Sequence, residues 1–209
     1  MAAVRLTGPV STCRLTVKAR SNSGPTVAQT WRVARYDPNR PPRPLDAGAL
    51  ERLALHYVGR YATTRAKLAS YLTRKITERG WKGEASAPIE ALVERFAALG
   101  YVNDRLFAEA RAASLSRRGY GERRVGEALK AAGIDSEDAA AARAIAKAGA
   151  HDAAMAFARR KRIGPFAGEK PDRDGCRRML AAMLRAGHSF DLSRRIVEAM
   201  PGDELEIED

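Results

Sequence analysis

Gly119-Tyr-Gly121-Glu-Arg-Arg-Val125-Gly-Glu-Ala-Leu129-Lys-Ala-Ala-Gly133-Ile-Asp135 is the stretch whose reading decides the fold. Gly119 and Gly121 interrupt one helix, and Val125 and Leu129, four residues apart, share one face of the next. Gly133 is a natural stop, and Asp135 can cap a further helix. The upstream neighbour is a helix from Asp104 carrying Leu106, Phe107, Ala110 and Leu115, so helix, glycine turn, helix, glycine and helix form one three-beat unit.

The same unit is legible on both sides. Upstream, Asp46 can cap a helix over 46–60 with Leu50, Leu53, Ala54, Tyr57 and Val58 as its stripe. A second helix starts near Thr63 or Thr64, with Leu68, Tyr71, Leu72 and Ile76 inward and Arg65, Lys67, Arg74 and Lys75 outward. After a break at Gly80 to Gly83, a third runs from about Pro88 through Ile89, Leu92, Val93, Phe96 and Leu99 to Gly100. Downstream come a helix over 151–162, a break at Gly164-Pro165, a loop to Pro171, a helix to Ala186 and a last helix over 190–199. The middle helices align on Leu68 and Leu72, Val125 and Leu129, and Leu180 and Leu184, and the last two units share a glycine followed by a new helix start, at Gly133 and Gly187.

A repeat of roughly 50 residues predicts small helical modules stacked in line. The expected fold is all-α, with three tandem three-helix repeats forming an elongated, curved molecule between flexible tails. The expected divisions are a basic, Pro-rich tail over 1–45, repeats over 46–103, 104–149 and 150–200, and an acidic tail over 201–209. Residues 1–45 hold eight Lys or Arg against the single acid Asp37, and Gly202 to Asp209 hold five carboxylates. The segment Gly164 to Pro171 is a candidate hinge before the last two helices.

The formal net charge of +12 over 209 residues predicts a field that attracts polyanions or the acidic surface of a partner, and charge alone does not choose between them. Cys13 and Cys176 form no CxxC pair, and no apolar run reaches the length of a membrane span, so a reducing cytoplasm is the expected setting.

Catalysis needs converging acids, bases or nucleophiles, and candidates are few. His56, His151 and His188 fall in three different modules without Cys or Asp at ligand spacing, and no Gly-x-Ser-x-Gly elbow occurs. The glycines at 119, 121 and 126 lack the full phosphate-loop spacing and follow no strand, so a helix-breaking turn explains them better. The expectation is a protein with no catalytic residues, no cofactor and no metal. A helix-turn-helix reading of the second unit fails because the helix after Gly133 opens Asp135-Ser-Glu-Asp, which would repel DNA.

The distinctive feature is cationic. Arg105, Arg111, Arg117, Arg118, Arg123, Arg124 and Lys130 stand against three acids, and Arg159-Arg160-Lys161-Arg162 closes a later helix. Such arginines can grip phosphates or carboxylates bidentately, although a solvated helix face accounts for any one of them equally well. Aromatics that could stack unpaired bases are sparse in turns, with Tyr120 and Phe166 the best placed.

Several segments resemble the RecX family. Leu50-Glu-Arg-Leu-Ala-Leu-His-Tyr-Val-Gly-Arg-Tyr-Ala-Thr-Thr-Arg-Ala-Lys-Leu68 is similar to the family's opening pattern, with Thr63-Thr64 in place of the usual Ser and Lys67 where an acid is common. Leu99-Gly-Tyr-Val-Asn-Asp-Arg-Leu-Phe-Ala108 resembles the next motif, with Asn103 replacing an Asp. Arg118-Gly-Tyr-Gly-Glu-Arg-Arg-Val125 through Ala132-Gly133-Ile134, and Arg185-Ala-Gly-His-Ser-Phe190, are similar to the remaining two, so the resemblance covers about 46–199.

The resemblance implies a non-enzymatic regulator in the bacterial cytoplasm that lies in the groove of the RecA filament and modulates, mainly inhibits, its recombinase, ATPase and coprotease activities in DNA repair, recombination and the SOS response; a monomer is the separate expectation for its own assembly. Direct contact with single- or double-stranded DNA is a further expected partnership, and the rival reading is a basic DNA-binding protein acting without RecA. Helix faces and charge, rather than the resemblance, nominate Arg65, Lys67, Arg74, Lys75, Arg117, Arg118, Arg123 and Arg124 as protein- or DNA-binding residues.

Overall fold

A computed structural model describes residues 43–203; the basic tail, apart from its last residues, and most of the acidic tail lie outside the described residues. Nine α-helices occur among them: α1 (Ala47–Arg60), α2 (Arg65–Arg79), α3 (Ile89–Ala98), α4 (Asp104–Arg117), α5 (Glu122–Ala131), α6 (Ser136–Ala148), α7 (Ala150–Lys161), α8 (Arg173–Arg185) and α9 (Phe190–Glu198). The all-α expectation holds, and the only extended pairing among the described residues is an isolated bridge between Leu45 and Trp81.

Helix starts follow local chemistry. Asp46, Thr64, Asn103, Asp135, Asp172 and Ser189 each accept a hydrogen bond from the backbone N–H three residues on, satisfying a donor with no partner inside the helix. Asn103, not Asp104, is the cap of α4, which frees the Asp104 carboxylate for another partner.

Three clusters of buried side chains lie between the helices. The first joins Leu50, Leu68, Leu72, Leu92, Val93 and Phe96 of α1, α2 and α3 to Leu45 and Val102. The second, from α4, α5 and α6, is rich in alanine: Ala108, Ala112, Ala139, Ala142 and Ala146 surround Leu115, Val125 and Leu129. The third is built on Phe157, Ile163, Met183, Leu192, Ile196 and Val197.

Three sequence expectations shift in phase. Leu106 faces outward, because the buried face of α4 runs through Asp104, Ala108, Ala112 and Leu115. Leu99 follows α3 as its C-terminal cap and is likewise exposed. In α8 the fully buried residue is Met183, and Leu180 and Leu184 are half-buried. The glycine turns explain the register. Ile134 N–H donates to the Leu129 carbonyl and His188 N–H to that of Met183, each across a glycine with positive φ, so Met183 corresponds to Leu129. The candidate hinge begins as a 3₁₀ turn, Gly164–Phe166, in which Gly164 and Pro165 are buried.

Candidate functional site

The helix groups meet at two seams of one design. At the first, the hydroxyl of Thr64, the cap of α2, donates to the carbonyl of Ala132 just before Gly133, at 2.7 Å and buried. At the second, the N–H of Gly121, the cap of α5, donates to the carbonyl of Ala186 just before Gly187, at 2.9 Å. α2 and α5 therefore each dock their start on the glycine turn that ends the next middle helix. The turn after α2 has no preceding group to receive. It is covered instead by the chain leading into α1, where Leu45 N–H donates to Gly80 and Lys82 N–H donates to Leu45.

These seams engage two of the eight nominated residues. Arg65 donates from its backbone N–H and Nε to Asp104 at 2.9 and 3.3 Å, and from its guanidinium to Asp138 at 2.6 Å. Burial lowers the pKa of Arg65, but the Asp104 hydrogen bond and charge, followed by those of Asp138, more than offset it and leave the group above its ordinary value. Arg65, expected on an outward face, thus ties α2 to α4 and α6. Arg123 reaches across the second seam, donating from its guanidinium to the Leu184 carbonyl and from its backbone to Gly187.

The other six remain on the surface. Arg74 and Lys75 share Glu78, at 3.6 and 2.5 Å, and both flank the ring of Tyr71. Lys67 lies 4.8 Å from the centre of the Phe107 ring, and no ion pair of Lys67 occurs among the described residues. Arg124 pairs with Glu127, Arg118 lies over Tyr120, and Arg117 is exposed. Five of these six fall into two surface sets: Lys67, Arg74 and Lys75 on α2, and Arg118 with Arg124 around Tyr120, where Arg111 joins them; Arg117 belongs to neither.

Sequence reasoning missed two further groups. Lys130, Arg143 and Lys147 join Arg123, Glu122 and Glu127 around a cleft of about 760 Å³ that reaches Gly187 and His188. Tyr57, Tyr61 and Arg60 join Tyr71, Lys67 and Arg74 around a second cleft of about 520 Å³. The i, i+4 spacing of Tyr57 and Tyr61 was a usable signal for the second. Among the described residues no cluster of His, Cys, Asp and Glu could hold a metal ion.

Known proteins resemble this chain in sequence and in fold. The family model described as RecX, second three-helix domain, matches residues 103–142. The regulatory protein RecX of Myxococcus xanthus (strain DK1622) is 37% identical over 168 residues, covering 77% of this chain and 90% of that one. The regulatory protein RecX of Thermobifida fusca (strain YX) is 30% identical over 157 residues, covering 75% and 78%. The crystal structure of RecX from Lactobacillus salivarius has a TM-score of 0.59 at 18% identity, covering 73% of this chain and 94% of that one.

Fold and surface together define an all-helical protein with three buried clusters, side-chain and backbone bonds between its helix groups, and cations on its surface. The chain belongs to the RecX family.

Proposed function

We propose that this protein binds the RecA filament on DNA and restrains it, inhibiting its recombinase, ATPase and coprotease activities in DNA repair, recombination and the SOS response. Membership of the RecX family carries this reading. The exposed cations fit it physically, because a filament groove presents acidic protein surface beside DNA phosphates, and arginine and lysine pair with either. The protein acts as a monomer in the bacterial cytoplasm, without catalysis, cofactor or metal. Among the described residues no helix is long and apolar enough to cross a membrane.

The divisions 46–103, 104–149 and 150–200 are proposed as the repeats, and Lys67, Arg74, Lys75, Arg117, Arg118 and Arg124 as the contact residues. Arg65 and Arg123 contribute by holding the repeats in register, as their inter-helix bonds suggest.

The net charge of +12 favours a second reading, a basic DNA-binding protein that needs no RecA. Single-stranded-DNA-dependent ATP hydrolysis by the cognate RecA, titrated with this protein at two salt concentrations, separates the two. Inhibition well below one molecule per RecA monomer that survives moderate salt is the expected result. Inhibition only at coating amounts, abolished by salt, would replace filament binding with the second reading.

A further inference from the structure

On the first helix group the side chains of α1 and α2 build a cleft of a different character from the charged faces around it. Tyr57 and Tyr71 stack at a centroid separation of 4.2 Å and an interplanar angle of 13°, and Tyr61 leans on Tyr57 at 5.3 Å. Tyr61 is 53% exposed at the end of α1, with the Arg60 guanidinium 5.9 Å from its ring centre. Lys67 and Arg74 complete a cationic rim, and no carboxylate lines the cleft. Glu78 stands beside it and draws Arg74 and Lys75 into ion pairs, whereas neither Arg60 nor Lys67 has an ion pair among the described residues.

We propose that this cleft binds unpaired nucleotides of a single-stranded nucleic acid, with a base stacked on Tyr61 and the adjoining phosphodiester held by Arg60 and Lys67. An aromatic ring can accept a base only where that base is not stacked inside a duplex, whereas cations alone hold duplex and single strand alike. An acidic peptide would use the cations and leave the exposed ring without a role. The stacked Tyr57–Tyr71 pair backs Tyr61 and limits its motion, so little side-chain freedom remains to be lost on binding. The inference does not rest on the RecA reading, since it concerns an interaction the protein makes with nucleic acid by itself.

The test is fluorescence anisotropy of a labelled oligothymidylate with the full chain, without RecA, for the parent, Y61A, Y61F and K67Q. The Y61A substitution should weaken binding about tenfold with an unchanged salt slope, and Y61F should bind like the parent. The K67Q substitution should reduce the slope of log affinity against log salt by about 0.7, the increment that one neutralised phosphate contributes on a single strand. Binding of a duplex of equal length should be indifferent to Y61A. Circular dichroism of each variant should match the parent, since both replaced side chains are exposed.

Three results would overturn the proposal: no single-strand binding by the parent, Y61A binding like the parent, or Y61A weakening single strand and duplex equally. If polyglutamate displaces the oligonucleotide and its own binding also falls in Y61A, the cleft is a seat for an acidic protein segment instead. The outcome is separable from the RecA reading, because RecA inhibition by Y61A is measured independently.

Discussion

His188 sits in the glycine turn of the second seam, packed against Phe157, with Nε2 3.2 Å from the Gly119 carbonyl and Nδ1 buried without a partner. Burial pushes its pKa below the ordinary histidine value, and the bond to Gly119 only partly opposes this. The sign follows from linkage. The neutral ring is the folded form, so the unfolded chain binds the proton first as pH falls. Stability from this residue is complete above the ordinary histidine pKa and declines as pH drops from there towards the lower folded value. Thermal melts between pH 7.5 and 5.5 should show a falling midpoint in the parent and a flatter profile in H188N; equal slopes would remove His188 as the cause. Asp104 is the counterpart at the first seam, with a side chain only 4% exposed and two bonds from Arg65. The D104A substitution should cost about 1–3 kcal/mol in urea denaturation, less than a fully buried pair because the Arg65 guanidinium reaches solvent. These roles were not legible in the sequence, since Asp104 and Asp138 lie 39 and 73 residues from Arg65 and no local pattern announces such a pairing.

At the scale of the element, the order and starts of the helices were readable because caps and the 3.6-residue period are local properties of the chain. Thr64, Asp135 and Ser189 cap as their residue types require. Phase was harder. In α4 the eye follows Leu106 and Phe107, yet the buried side is made of alanines, which weigh little in a hydrophobic pattern and permit close packing with α6. In α8 two leucines and two methionines occupy adjacent faces, and only distance from the glycine turn selects Met183. Of the candidate site, the cations were visible as charge, but the aromatic cleft required Tyr71 of α2 to meet Tyr57 and Tyr61 of α1. The small second cluster has consequences for stability as well. Leu129 is among its few large, fully buried side chains, so L129A should destabilise by about 2–5 kcal/mol, whereas L106A, on the exposed face of α4, should change the unfolding midpoint little.

For the whole molecule, the repeated seam turns local defects into a question of coupling. In a linear array each helix group stabilises chiefly its neighbour, and opening one junction releases what lies beyond it. At the second seam the two backbones approach closely. A Cβ on Gly121 would fall 2.3 Å from the Gly187 carbonyl oxygen, and one on Gly187 would fall 2.5 Å from the Arg124 nitrogen. Neither atom is the free end of a side chain, so G121A must push α5 away from the Gly187 turn and weaken the bonds from Gly121 to Ala186 and from Arg123 to Gly187. Native-state hydrogen exchange should then show reduced protection in α8 and α9 with α2 and α3 unchanged. If protection falls equally in all helices, the described residues unfold as one unit and the seam is not a separable joint. The same variant carries the idea to function. If restraint of RecA requires the cations of α2 and those around Tyr120 together with the third helix group in fixed register, G121A should lose inhibition although every proposed contact residue is intact. Retained inhibition would assign the activity to the first two helix groups alone.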